Sequence, residues 1–372
     1  MKKWRSETQS SAVRIAQAIW QNPLVSRSGI ADTLGLDRST ISLQVGRFLE
    51  SGLVCEVSEG SSGPNGGRKP IHLVINKEYG VVIGLEIQVA SCAVAVVNLA
   101  GAILSFERIE HIFSGDSFVE DVAEIIQACI ERHCVGMHVL GAGVGLGGIV
   151  DSVSGVIQYS IPLKISEPLN FCEAIASKLD CPVFVENDAN CCAWGELVFH
   201  RADSLKNFLF VLGQFRQGGP ELQEYGGFGV GFGIVFNGAV YSGTNFGAGE
   251  FRSVLHQGKA QGQFSIDPKD MWGVVDNPKL VARLTEELAR NVAMLANTFS
   301  LERVFIGGDI ENATVDVIGV FEEALRSNWV YPGEILTSVM SSSLGERSVA
   351  FGAAGMLMHR FLASEQLLVA RR

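Results

Sequence analysis

Residues 185–196 read Val185-Glu186-Asn187-Asp188-Ala189-Asn190-Cys191-Cys192-Ala193-Trp194-Gly195-Glu196, and the order of residue types in this stretch decides the fold class. Val183–Val185 is a short apolar strand, Glu186–Asn190 a cluster of carboxylates and amides at its end, and the run from Cys191 a helix. Strand, polar junction and helix in that order make an α/β unit, and functional groups sit well at such junctions. Working backwards, Tyr79–Leu99 and Ala102–Arg108 read as a β-meander. Helix Phe118–Arg132, strand Val139–Leu146, a hairpin over Gly155–Tyr159 and helix Asn170–Leu179 follow. Working forwards, the plan repeats: strands Phe208–Leu212, Gly229–Phe236 and Val240–Ser242, helix Asn277–Phe299, strand Arg303–Ile306, the turn Gly307-Gly308-Asp309 and a closing helix Gly345–Leu362. The body is an α/β fold built twice.

At 372 residues the chain is too long for one compact core. Hydrophobic residues at 47% and charged residues at 19% exclude disordered, collagenous and coiled-coil classes. No stretch offers the roughly 20 unbroken apolar residues that a membrane helix needs. Met1–Glu7 is charged and then polar, unlike a secretory leader, so a cytoplasmic protein without membrane attachment is expected. The eight cysteines show no CxxC pair and are read as reduced. Cys191-Cys192 fits helix packing better than redox chemistry, since no basic residue adjoins it.

Residues 1–75 carry nine Lys/Arg against six Asp/Glu, a net of +3, whereas the rest carries 20 against 34. Only the first part suits a polyanion. There Ala12, Ile15, Ala16, Ile19 and Trp20 recur at helical spacing up to Gln21-Asn22-Pro23. Ser26 caps a second helix that ends at Gly35, and Asp37 caps a third that turns Ile41, Val45 and Phe48 inward. This is a helix-turn-helix layout. The opposite face of the third helix is expected to present Ser39, Thr40, Ser42, Gln44 and Arg47 to base edges or phosphates, with Arg27 as a phosphate contact. Leu53–Val57 and Ile71–Ile75 read as a two-stranded wing around the glycine-rich loop Gly60–Gly67, and Arg68 and Lys69 open the returning strand. The expected partner is a double-stranded DNA operator, bound by a homodimer or a larger homo-oligomer because one small module offers few contacts.

Several ordered segments of the body resemble the ROK family (repressors, open reading frames, sugar kinases): Gly147-Gly148-Ile149-Val150-Asp151, Val185–Asn190 with Glu196, Gly229–Gly238, Gly247-Ala248-Gly249-Glu250, Gly307-Gly308 and Ala350–Gly355. The winged helix in front resembles the architecture of that family's transcriptional repressors. The resemblance implies an actin-like, two-lobed ATPase (sugar kinase-like) fold over 76–372 behind an α+β winged helix-turn-helix domain over 1–75. The lobes would be roughly 76–195 plus 350–372, and 196–349, with a sugar cleft between them. On this resemblance Asp188 matches the family's catalytic base, while Asn187 and Glu250 match partners of sugar hydroxyls. Carboxylates beside an amide suit a polyol.

Other segments depart from the family. Its kinases end the first strand of the body in Asp-x-Gly-Gly-Thr, where this chain has Glu86-Ile87-Gln88-Val89-Ala90, so the bare backbone that approaches phosphate is lost. Gly229, Gly231 and Gly233 remain, but Phe228 replaces the usual Thr. The Gly-His of the family's zinc site is Arg252-Ser253 here, only His256 is nearby, and Pro162 replaces an Asn. The string Gly143-x-Gly145-x-x-Gly148 is no dinucleotide fingerprint, because a hairpin follows it instead of a helix. The expectation is therefore a DNA-binding regulator, a repressor, that responds to a sugar or sugar derivative, with kinase activity lost, no catalytic residue, no metal and no cofactor. The alternative is an active ATP-dependent sugar kinase with a DNA-binding appendage. For Asp188 the competing role is structural, as a cap of the helix from Cys191.

Overall fold

The structure is a computed structural model and describes residues 10–57, 71–113, 115, 117–200, 205–215, 227–257, 262–271 and 273–364. Its first helices begin and end where local chemistry dictates. Ser10 caps α1 (Ser11–Gln21), and Ser26 caps α2 (Arg27–Leu34), accepting from the Gly29 amide at 3.1 Å. Gly35 ends α2 in the left-handed region at φ 63°, which a residue with a Cβ rarely adopts. Asp37 caps α3 (Arg38–Glu50) by accepting from Thr40 N at 2.9 Å. The wing has three strands rather than the two expected. Val25–Ser26 (β1) adds to the edge of the returning strand, giving the antiparallel order β1-β3-β2 with Val54–Val57 as β2 and His72–Ile75 as β3. Arg68 and Lys69 lie outside the described residues.

This module is docked rather than tethered. Ala12, Ile15 and Ile19 share one apolar cluster with Val82, Ala95, Phe351 and Phe361 of the body, and Trp20 Nε1 donates to Leu99 O at 3.0 Å.

The body contains two five-stranded sheets of one design. In the first, β4 (Val81–Ile87), β5 (Ser91–Asn98) and β6 (Ile103–Glu110) form an antiparallel meander. β7 (Val139–Leu146) and β10 (Val183–Asn187) then extend it in parallel, giving the order β10-β7-β4-β5-β6. In the second, β11 (Phe208–Phe215), β12 (Phe228–Phe236) and β13 (Ala239–Val240) form the meander, and β14 (Arg303–Gly307) and β15 (Ser338–Ser341) extend it, giving β13-β12-β11-β14-β15. The small hairpin β8 (Ile149–Asp151) and β9 (Val156–Tyr159) lies beside the first sheet. Helices α4 (Phe118–His133) and α5 (Phe171–Ala176) cover one face of that sheet, while α7 (Pro278–Phe299) and α8 (Val317–Ser327) cover one face of the second. Neither α8 nor β15 is among the elements expected from the sequence.

Between the sheets lie α6 (Asp188–Phe199), which packs on β11 and β12, and α9 (Ser348–Ala363), which packs on β4 and β7. The two helices cross so closely that a Cβ at Gly352 would collide with the Cys191 carbonyl. The lobes therefore meet through a pair of small-residue helices, and α9 also touches α1 of the winged module.

Candidate functional site

Outward on α3 point Arg38, Ser39, Ser42, Leu43 and Arg47, a stripe at i, i+1, i+4, i+5 and i+9 with no carboxylate before Glu50. Gln44 is a correction. It is 8% exposed and lies on the inner stripe with Ile41, Val45 and Phe48, its Oε1 buried without a partner. Three residues after Ile41 and four before Phe48, it occupies a core position despite its polarity. Arg38 and Leu43, the latter 58% exposed, are face residues that sequence reasoning missed, although the same periodicity places them. Thr40 is half-buried. Its hydroxyl and that of Ser39 donate to Asp37, so both belong to the cap, and these bonds hold the Asp37 carboxyl well below the usual carboxylate range. Arg27 pairs with Glu56 at 2.7 Å, and Arg14 donates to Leu34 O at the end of α2. Each would have to exchange an internal partner for a phosphate.

The cleft gathers residues from distant segments. Asn187, the last residue of β10, caps α6: its side-chain oxygen accepts from Asn190 N at 3.1 Å and its Nδ2 donates to Gly148 O at 3.0 Å. The helix thus starts at Asp188, not at Cys191, and the structural role weighed for Asp188 falls to Asn187. Asp188 opens α6, with Oδ1 accepting from its own helix at Ala189 N, 2.8 Å away. Two glycines flank it. A Cβ at Gly147 would stand 3.2 Å from Asp188 Oδ2, and one at Gly231 would stand 3.9 Å from Oδ1. Gly231 bridges in turn to Glu250, whose side chain is exposed. A Cβ at Gly231 would meet Ala189 Cβ at 3.2 Å first, so this glycine lets β12 lie close against the start of α6 and brings the backbone of Glu250 to the strand beside Asp188.

At the end of β4 the cleft is closed instead. Glu86 is 4% exposed and its Oε1 accepts from Gln88 Nε2 at 2.7 Å and from Gln214 Nε2 of the second sheet at 3.3 Å. Burial, helped by the charges of Asp188 and Asp309, pushes the Glu86 carboxyl up to about 7, while the Gln88 amide and Arg108 pull the other way. Asp309, after Gly307-Gly308, accepts from Phe215 N at 2.8 Å, and its own carboxyl is raised by burial. Gln214 has no sequence signal, because only the fold brings it to Glu86. Phe228 is buried and stacks on Phe264 at 5.7 Å.

The segment that the family resemblance associates with zinc does not fit a metal. Arg252 is exposed, Ser253 is buried, and among the described residues no group of three His, Cys, Asp or Glu is placed to hold an ion. No helix among them is long and apolar enough to cross a membrane.

A xylose repressor of Staphylococcus xylosus is 30% identical over 245 residues, which is 65% of this chain and 59% of that protein. The chain thus spans about three fifths of the length of that relative. A xylose repressor of Bacillus spizizenii is 28% identical over 384 aligned positions, 94% of each chain. Among solved structures, a ROK family transcriptional regulator described as a homologue of the E. coli MLC protein matches with a TM-score of 0.75 over 96% of both chains, at 19% identity. The fold is the actin-like one of that family. Residues 82–254 match the profile of the ROK family.

Proposed function

We propose that this protein is a transcriptional repressor that binds a DNA operator through α3 and the wing and responds to a sugar held between Asp188 and Glu250. It works as a dimer, since paired half-sites multiply the few contacts of one module. It does not phosphorylate the sugar. Both xylose repressors named above support this reading, and make D-xylose the first effector to test. Fold alone does not separate regulator from kinase, because kinases and regulators share it. The observation that carries the choice is at the end of β4, which is filled by the hydrogen-bonded Glu86, Gln88 and Gln214 side chains. A triphosphate needs bare backbone amides and would meet carboxylates there.

The docked module suggests how the response travels. α9 touches β4, α6 and α1, so a change in lobe angle that moves α9 against α6 displaces the seat of the winged helix. The sugar acts through its differential affinity for the two lobe arrangements. A gel-shift titration of genomic fragments with full-length protein, repeated with D-xylose and a panel of hexoses and amino sugars, tests the reading, alongside an ADP-release assay at millimolar ATP. Operator binding altered by one sugar, without ADP release, is the expected result. Sugar-dependent ADP release that disappears in Asp188→Asn would overturn it in favour of a kinase.

A further inference from the structure

Among the described residues no cluster of metal-ligating side chains adjoins the segment that carries Glu250, and hydrogen bonds hold that segment instead. Beyond β13, which pairs with β12 only at Val235 and Phe236, the β12 edge is open toward its start. Gln263 closes it. Its Oε1 accepts from Val230 N at 2.9 Å and its Nε2 donates to Val230 O at 2.6 Å, the two bonds that a neighbouring strand would make. The same Nε2 donates to Phe251 O at 3.1 Å, the residue directly after Glu250. Backbone bonds continue the seam: Phe232 N to Gly249 O at 3.0 Å, Gly231 opposite Glu250, and Ser253 N to Gln263 O at 2.8 Å. Helix α7 holds the far side. Asn291 accepts from Val254 N at 2.9 Å and donates to Ser253 Oγ at 3.1 Å, while Glu287 accepts from Ser265 N at 2.7 Å.

We infer that Gln263 is a positioning residue of the sugar cleft, its side-chain amide pinning the segment that carries Glu250 to β12 at the place where the family resemblance implies a metal-organised loop. The inference rests on the reading of Glu250 as a sugar partner. Amide and backbone match atom for atom: Gln263 offers one acceptor and a two-proton donor to one N–H and two carbonyls. A glutamate in its place would keep the acceptor and set a charge against both carbonyls, and only its protonated form would restore a donor.

The test uses full-length wild type, Gln263→Ala, Gln263→Glu and Glu250→Gln, with sugar affinity by calorimetry and operator affinity by gel shift without sugar. Operator binding within twofold of wild type certifies that each variant is folded. Gln263→Ala is expected to weaken sugar binding at least tenfold. Gln263→Glu is expected to be as weak at pH 7.5 and to recover toward the wild-type value on acidification to pH 5, a recovery that Gln263→Ala lacks. Wild-type sugar affinity in Gln263→Ala, or equal defects in Gln263→Glu at both pH values, overturns the inference while leaving the cleft reading intact. Wild type that binds no sugar, or Glu250→Gln that binds normally, overturns the cleft reading, and with it the role given to Gln263. EDTA is expected to leave wild-type affinity unchanged, and its loss on chelation would equally overturn a metal-free staple.

Discussion

Helix α3 takes its outer face from one run of thirteen residues, whereas the cleft draws Glu86, Asp188, Gln214 and Glu250 from strand ends and turns far apart in the chain. The difference governs what a substitution does. On α3 a side chain can change while the backbone, fixed by Asp37 and the inner stripe, stays put, so effects should be confined to DNA. Between the sheets Glu86 is tied to Gln214 of the other sheet, so a change there is expected to couple stability with lobe geometry.

The largest test of that coupling is Glu86→Gln. A carboxyl raised from 4.5 to about 7 holds its proton more tightly in the folded chain than in the unfolded one. Stability from this group is therefore greatest below the unfolded value, falls as pH rises between about 4.5 and 7, and levels off above. The amide removes that slope, still accepts from Gln88 and Gln214, and leaves the protein on the order of 2–3 kcal/mol more stable than wild type at pH 7.5. Thermal unfolding at pH 5 and 7.5 checks this. A slope that survives in the variant would mean that Glu186, Asp309 or Glu311, all raised by burial as well, dominate.

Next in size is Asp188→Asn. Losing a charged acceptor for a hydroxyl should weaken the sugar about ten- to a hundredfold. Operator affinity without sugar stays unchanged, because Asp188 faces Gly147 and Gly231 and not the winged module. A full response of operator binding to the same sugar concentration would remove Asp188 from the site.

On the other side of the comparison, Arg47→Ala should cost about tenfold in specific operator affinity and leave sugar affinity untouched. Arg68→Ala and Lys69→Ala should each weaken all DNA alike and lower the salt slope by about one. If Arg47→Ala shifts sugar affinity as strongly as operator affinity, the face is not local.

Legibility in the sequence followed the same division. The caps Ser26 and Asp37 and the stop Gly35 act within four residues, so the three helices of the module are readable from residue types alone. The duplicated α/β plan is readable too, because the strands are apolar runs. Helix α8 had a usable signal in the cap Asp316 and the buried Val317, Phe321 and Leu325. β15, with a single buried residue among four, had almost none. The start of α6 was hidden by chemistry, since Asn187 and Asp188 look alike as polar residues and only geometry assigns the cap to one and the cleft to the other. Gln214 beside Glu86 and Gln263 beside Val230 join residues 128 and 33 positions apart, and no periodicity encodes such pairs.

Gln44 is where the two regions meet in one residue, a polar side chain on the helix proposed to face DNA that is buried as Glu86 is. Its Oε1 is shielded from water with no donor, a cost that an apolar side chain of similar length avoids. Gln44→Leu should therefore add about 1 kcal/mol of stability at most, read as a raised urea midpoint, and leave operator affinity within twofold. The opposite outcome is equally informative. A tenfold loss of operator affinity with unchanged stability would mean that Gln44 swings out of the inner stripe to meet a base edge, and α3 would then be no more local than the cleft.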